Sequence, residues 1–552
     1  MKGNRVSFPR PPCNWFGDKF KRLYTGNMGV LIPFFCEYAM PNSTWKISVA
    51  QKIRLNAMIT PAMHTIKAYA HFFQVPLRLL MNEKDYENYM TGGKDGTDDT
   101  PTPTVNSGPD GYAAGSLMDY LGYAANYYND NLEEVKVANF TQNAWALRAY
   151  NKVVNDWYKN LNVSSERNLS LEPGLDTTTD RSLAYRCWMP DKYTDALPDT
   201  QRGPQISIPL ETVAPVKTSI NPVGEYPAGL RWQKVTENEP VATGRAIHTA
   251  ATTAPDGYNS TVTVAPGVVS DMSGNIAPAN LWADLTDAGS IGINELMDSI
   301  ALNYAGQLSM RAGTRLVEYL YAFFGVRSSD ARLQRSQYIG GFSSPVYIDE
   351  VEQNSATSES TTPQGNLAGK GITINVGTKI KCFCEEPTVV IGIASVMPET
   401  SYFQGSRKWM NYMSRLDYPN PVYANLGYQP ILEKELFAQG DDVTSKVGDV
   451  TVTNESNFGF EPRFQEQRSF PSTQHGEFRT TRKYWTLVRE FSEPPLLNQS
   501  FVEAGQVSKR IFAVTDQTSD SLLCETFITV AHKSPLPKYS NPSSMGLLYY
   551  GR

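Results

Sequence analysis

Five histidines, His64, His71, His248, His475 and His532, are the side chains best suited to proton transfer near neutral pH or to metal binding, and they are scattered along the chain. None sits in an HExxH pattern, and no acid or cysteine cluster has metal-ligand spacing, so each histidine reads as a core or surface residue. The run GNLAGKG at residues 365–371 resembles a phosphate loop only superficially. It is one residue too short between Gly365 and Gly369, and Gly371 stands where such a loop needs Ser or Thr. No GxSxG elbow occurs, and no GxGxxG follows a strand and opens a helix. Asp98 and Asp99 lack the spacing of a calcium-binding hand. Glu385 and Glu386 are adjacent on a strand, point to opposite faces and cannot share a substrate. No catalytic residue, metal ligand or cofactor is assigned.

The remaining chemistry is that of cations toward phosphate. Lys2, Arg5, Arg10, Lys19, Lys21 and Arg22 stand against Asp18 alone in residues 1–28, a Pro-rich basic arm. Such an arm is either a solvated tail or a segment lying against nucleic acid. Arg327, Arg332 and Arg335, in a polar connection after a long helix, form a second set. The bland reading of these three is that guanidinium forks tie a loop together. The net charge of −6 argues against a globally cationic binder but allows one basic face.

The elements that would position these groups follow from periodicity. In residues 45–57, Trp45, Ile47, Val49, Ile53 and Leu55 alternate with Lys46, Ser48, Lys52, Arg54 and Asn56, so one strand face meets a core and the other meets water or a partner. Strands are expected at 30–40 and at 66–76, where proline ends the run. Residues 139–159 carry a helical stripe, and so do residues 294–324, with a break at Gly313. Period two returns at 372–376, 380–384, 388–396, 484–491, 510–515 and 522–532. Strands from both ends must meet in one antiparallel sandwich, because open edges of that length would aggregate. The expectation is mainly β: a single eight-stranded antiparallel jelly roll with large helical and loop insertions. Its parts are a basic arm (1–28), first strands (29–80), a helical and loop insertion (81–210), a surface projection (211–290), a long helix and connection (291–370), the remaining strands (371–535) and a tail (536–552). Six cysteines are too few for a disulfide framework in 552 residues and suggest idle thiols in a reducing cell. The opening MKGNRVSFPRPPCNWF holds no signal-peptide run, and no apolar stretch is long enough to cross a bilayer.

Several stretches carry a family resemblance. YTDALPDTQRGPQISIPL (193–210), the long segment from INELMDSIALNYAGQ to SQYIGG (293–341) and TPQGNLAGKG (362–371) resemble the major capsid protein of the Microviridae, tailless single-stranded-DNA bacteriophages, and most of all its gokushovirus type. MITPAMHTIKAYAHFFQVPLRLL (58–80), FGFEPRFQEQRSFPSTQHGEFR (458–479), WTLVREFSEPPLLNQSFVE (485–503) and SPLPKYSNP (534–542) extend the resemblance over nearly the whole chain. It implies a viral-type jelly roll tiled into a T=1 icosahedral shell of around sixty identical subunits. The implied contents are a circular single-stranded DNA genome, a small basic DNA-binding protein and a pilot protein, with an internal scaffolding protein during assembly. It also implies a chain made in the bacterial cytoplasm and ending in the virion. An insertion forms a protrusion in such relatives. Residues 212–289, with Thr212, Trp232, His248, Tyr258 and Gly289, are the candidate here, for recognition of a host-surface receptor or for variable decoration. Leu547, Leu548, Tyr549 and Tyr550 are either a tie between subunits or a patch under their own subunit. The rival reading is a soluble jelly-roll carbohydrate-binding protein. A polysaccharide-cleaving enzyme would need a carboxylate pair across a groove, which the sequence does not display.

Overall fold

The computed structural model describes residues 13–95, 97–203, 216–218, 231–234, 245–246, 276–278, 281–283, 293–312, 316–325, 334–352, 354, 366–505, 507–516 and 519–538. Two antiparallel sheets organise the larger of two units, which comprises residues 1–202 and 307–552. In chain order their strands are β1 (Asn14–Gly26), β2 (Ile32–Ala39), β3 (Ser43–Leu55), β4 (Ile66–Pro76), β5 (Gln337–Pro345), β6 (Tyr347–Glu352), β7 (Leu367–Cys384), β8 (Thr388–Pro398) and β9 (Leu522–Ser534). The first sheet runs β1-β9-β3-β7-β6 and the second β5-β4-β8-β2. Setting aside β6, an added edge, the eight others pass from sheet to sheet at every step except β4 to β5, the double Greek-key order of a jelly roll.

The sandwich core follows from alternation. Trp45, Ile47 and Val49 of β3 meet Ile528 and Val530 of β9 and face Phe34, Phe35, Ala70 and Phe72 of the second sheet. The second sheet is buried on its other side too. Phe73, Val75, Ile391 and Ile393 pack beneath Leu117 and Met118 of α2 (Leu117–Leu121) and Leu147, Tyr150 and Val153 of α3 (Trp145–Val153), which follow α1 (Glu83–Thr91). Every residue of β8 is therefore buried, which is why its sequence is almost continuously apolar. One fully buried arginine fastens the insertion: Arg148 donates to Asp176 Oδ2 at 2.8 Å, Leu80 O at 2.8 Å and Glu172 O at 2.7 Å.

Three expectations need correction. The chain does not begin with a 28-residue arm, because from Asn14 it is the first sandwich strand, paired with β9 from Asn14↔Ser534 to Gly26↔Leu522. Phe16, Phe20 and Tyr24 turn inward along it, and Phe16 stacks on His532 at 5.5 Å. Residues 337–352, read as part of a polar connection, are β5 and β6. Gly340 and Gly341 there disguise a strand, yet a Cβ on Gly341 would lie 2.5 Å from Ala70 O, so the close pairing with β4 requires glycine. Conversely, residues 484–491 and 510–515 are not strands. The Arg510 guanidinium donates to Thr486 O at 2.8 Å and Val488 O at 2.6 Å, satisfying carbonyls that a ladder would otherwise take.

The helical stripe near residue 300 resolves into α4 (Ile293–Ala312) and α5 (Leu316–Phe324). Residues 203–306 form the second unit, with a short three-stranded sheet (Arg231–Lys234, Arg245–Ala246, Ile276–Pro278) and a pair (Val216–Thr218, Leu281–Ala283).

Candidate nucleic-acid interface

Antiparallel register decides which side chains share the outer face of the five-stranded sheet. Trp15, Lys19, Lys21 and Leu23 of β1 lie opposite Lys533, Thr529, Phe527 and Glu525 of β9. Glu525 also faces Lys52 of β3, Leu523 faces Arg54, and Lys46 sits between Ala531 and Lys381 of β7. Lys379 and Ile374 continue the same face, and Lys370 ends it opposite Asp349 of β6. Strands are about 4.8 Å apart and same-face residues about 6.6 Å apart along each strand, so the ammonium groups form a lattice rather than one cluster.

Aromatic and aliphatic groups are set among these cations. Trp15, Phe383, Phe527 and Leu523 are each about half exposed. The Lys46 ammonium lies 4.6 Å from the Trp15 ring centre and Lys21 5.4 Å from that of Phe527. Against the cations the face carries Glu525 and Asp349. Glu525 accepts from Lys21 at 2.5 Å; that bond, with the charges of Lys21, Lys52 and Arg54, holds its carboxyl below the usual range. Lys46 and Lys381 are direct cross-strand partners of like charge, an arrangement that is unfavourable in isolation and is relieved by an anion lying over both. Exposed rings for stacking, interleaved with ammonium groups that track a backbone, suit a single-stranded polyanion with flat bases and do not require a particular sequence.

The residues singled out from sequence fall in different places. Lys19 and Lys21 lie on this face. Arg22 points the other way and donates to Phe34 O and Tyr120 O at 3.0 Å each, tying β1 to β2 and to the helical insertion. Arg335 lies 3.8 Å over the Trp157 ring and donates to Asp156 O at 2.8 Å, a structural clamp. Lys2, Arg5, Arg10, Arg327 and Arg332 lie outside the described residues, as do Thr212, His248, Tyr258, Gly289, Leu547, Leu548, Tyr549 and Tyr550. Trp232 is on a short strand of the second unit. Sequence reasoning missed Lys379, Lys381 and Lys533 as members of the face. It had exposed the polar side of β3, but only the register joins Lys46 to Lys381 across more than three hundred residues.

A second recess, of about 420 Å³, is lined by His71, Phe73, Trp157, Tyr158, Arg186 and Tyr338. Burial first, and then the charge of Arg186, push His71 down to about 4, so the imidazole is neutral near pH 7. No group of three or more metal-ligating side chains occurs among the described residues. No described helix is long and apolar enough to cross a membrane.

Residues 14–544 match a protein family described as capsid protein (F protein). The chain is 29% identical to capsid protein VP1 of Chlamydia phage 1, over 94% of this chain and 93% of that one. It is also 29% identical to capsid protein VP1 of Bdellovibrio phage phiMH2K, over 98% of each chain. To capsid protein VP1 of Spiroplasma virus 4 it is 28% identical, over 98% of this chain and 96% of that one.

Proposed function

Because the chain belongs to the phage capsid protein (F protein) family, we propose that, as major capsid protein, it closes with copies of itself into a T=1 icosahedral shell around circular single-stranded DNA. It is a structural component of a virion and not an enzyme. The outer face of the five-stranded sheet lies against the genome, and the observation that carries this is the lattice of Lys19, Lys21, Lys46, Lys52 and Lys381 interleaved with Trp15 and Phe527. About sixty equivalent copies give the simplest closed arrangement. The accompanying partners are a small basic DNA-binding protein, a pilot protein and an internal scaffolding protein. Residues 212–289 serve recognition of the host surface, a reading supported by the compact unit of its own that residues 203–306 form.

Binding of a fluorescent oligo-dT to the purified chain, followed by anisotropy across a salt series, tests the DNA face. Affinity should fall steeply with salt. The triple substitution Lys46→Gln, Lys52→Gln, Lys381→Gln should flatten the log–log slope by about 2, since each phosphate contact on a single strand contributes about 0.7. Trp15→Ala should weaken binding by about 1–3 kcal/mol per base stacked, with the slope unchanged. A triple variant with wild-type slope and affinity would remove this face from contact with DNA.

A further inference from the structure

Residues 407–426 invert the usual arrangement of a surface loop. Lys408, Asn411 and Tyr412 turn their polar ends inward, while Arg407, Arg415 and Asp417 stay exposed. Lys408 Nζ lies 3.1 Å from Glu461 Oε1 and 3.3 Å from Glu435 Oε1, two buried carboxylates that Lys192 neutralises from the other side, 2.5 Å from Glu435 Oε2. Asn411 donates to Ser406 Oγ at 2.8 Å, and the Tyr412 hydroxyl donates to Glu466 Oε1 at 2.5 Å. Asp417 accepts from the backbone N–H groups of Met413 and Ser414 at 3.0 and 2.7 Å. The apolar side chains turn outward instead: Trp409, Met410, Met413, Leu416, Val422 and Leu426 are all more than half exposed, Met413 at 87%. Phe470, 78% exposed, lines with Trp409, Met410 and Phe403 a cavity of about 330 Å³ beside them.

Side chains of these types at these exposures present on the order of 800–1,000 Å² of apolar surface, above the largest patch of an ordinary monomer and about one partner's share of a stable interface. Trp, Met, Tyr and Phe with flanking Arg407 and Arg415 is the composition found at interface centres. Internal hydrogen bonds already fix the loop, so docking costs little ordering entropy. Lys408 is neutralised by Glu435 and Glu461, and exposed apolar side chains outnumber the two exposed arginines, Arg407 and Arg415, so the patch favours phosphate less than the sheet face does. We infer that residues 407–426 together with Phe470 are a contact between copies of this chain, covered by a second copy. This rests on the shell-forming reading above and names one surface through which the shell is joined.

Sedimentation velocity of the full chain over rising concentration tests it, wild type against Met413→Asp/Val422→Asp. Wild type should grow heavier than a single 61.4 kDa chain. The variant should keep its circular dichroism and melting temperature, since both positions are exposed, and should associate at least about tenfold more weakly. A Val422→Cys chain carrying a photo-crosslinker, activated in the cells that produce it, should give an adduct of two copies by mass spectrometry. Equal association of variant and wild type, or an adduct formed only within one chain, with a different protein or with DNA, overturns the inference. Wild type that stays single at every concentration and also gives no adduct of two copies in the producing cells overturns the shell-forming reading together with it. The Lys46→Gln, Lys52→Gln, Lys381→Gln chain should associate like wild type.

Discussion

Glu433 is 1% exposed, and its Oε1 finds no hydrogen-bond partner among the described residues. Burial pushes its carboxyl up to about 8. The folded chain therefore keeps a proton that the unfolded chain releases from about pH 4.5, and stability falls as pH rises through the window from about 4.5 to 8. His71 has the opposite sign. Its folded value near 4 lies below the 6.5 of the unfolded chain, so the stability it contributes is full above 6.5 and is lost as pH falls toward 4. Thermal unfolding from pH 5 to 8 should show Glu433→Gln losing the alkaline decline that wild type shows; identical pH profiles would refute the assignment. Residues differ in how far their roles are legible before folding. Lys19 and Lys21 stood out by clustering, and Lys46, Lys52 and Arg54 by alternating with a buried row. Arg22 looked the same as Lys21 in sequence. Which cation becomes a tie depends on the carbonyls that tertiary structure brings to it, here those of Phe34 and Tyr120.

At the scale of elements, β1 is the most consequential strand that periodicity left unassigned. Its inward row carries Phe16, Phe20 and Tyr24 only at every fourth residue, with Asp18 and Arg22 between them, and with prolines before it and lysines on its outer side this gives it the texture of a tail. Structurally it caps the edge of β9, which would otherwise stand open along thirteen residues. Deleting residues 1–12 should leave solubility and the urea midpoint nearly unchanged. Deleting residues 1–26 should send the chain into aggregates, as solubility and light scattering would report. If the longer deletion stayed soluble and cooperatively folded, β1 would be dispensable trim. The strands that were legible, β2, β3, β4, β7, β8 and β9, carry apolar rows, broken in β3 at Gln51 and in β9 at Thr526. Residues 484–491 and 510–515 carry such rows too, and bury Leu487, Val488, Ile511 and Phe512, but as irregular backbone held by Arg510. Burial was readable there, whereas the backbone geometry was set by one guanidinium.

The whole molecule divides into a sandwich with its helical cover and a smaller unit at residues 203–306. Closure entropy grows slowly with loop length, so replacing residues 211–290 by a short Gly/Ser linker should leave the sandwich folded by circular dichroism. Phage built from that chain should fail to adsorb to the host. Normal adsorption would leave the insertion without a recognition role. The pairing of β1 with β9 has a temporal corollary. β9 lies between β1 and β3, so the sheet that bears the cation lattice has a missing plank until the ribosome has released residues 522–534, about 500 residues after β1. At roughly 5–20 residues per second, that is a delay of about half a minute to two minutes after the first strand emerges. A prematurely terminated chain never acquires the plank, and incomplete products are thereby barred from becoming building blocks.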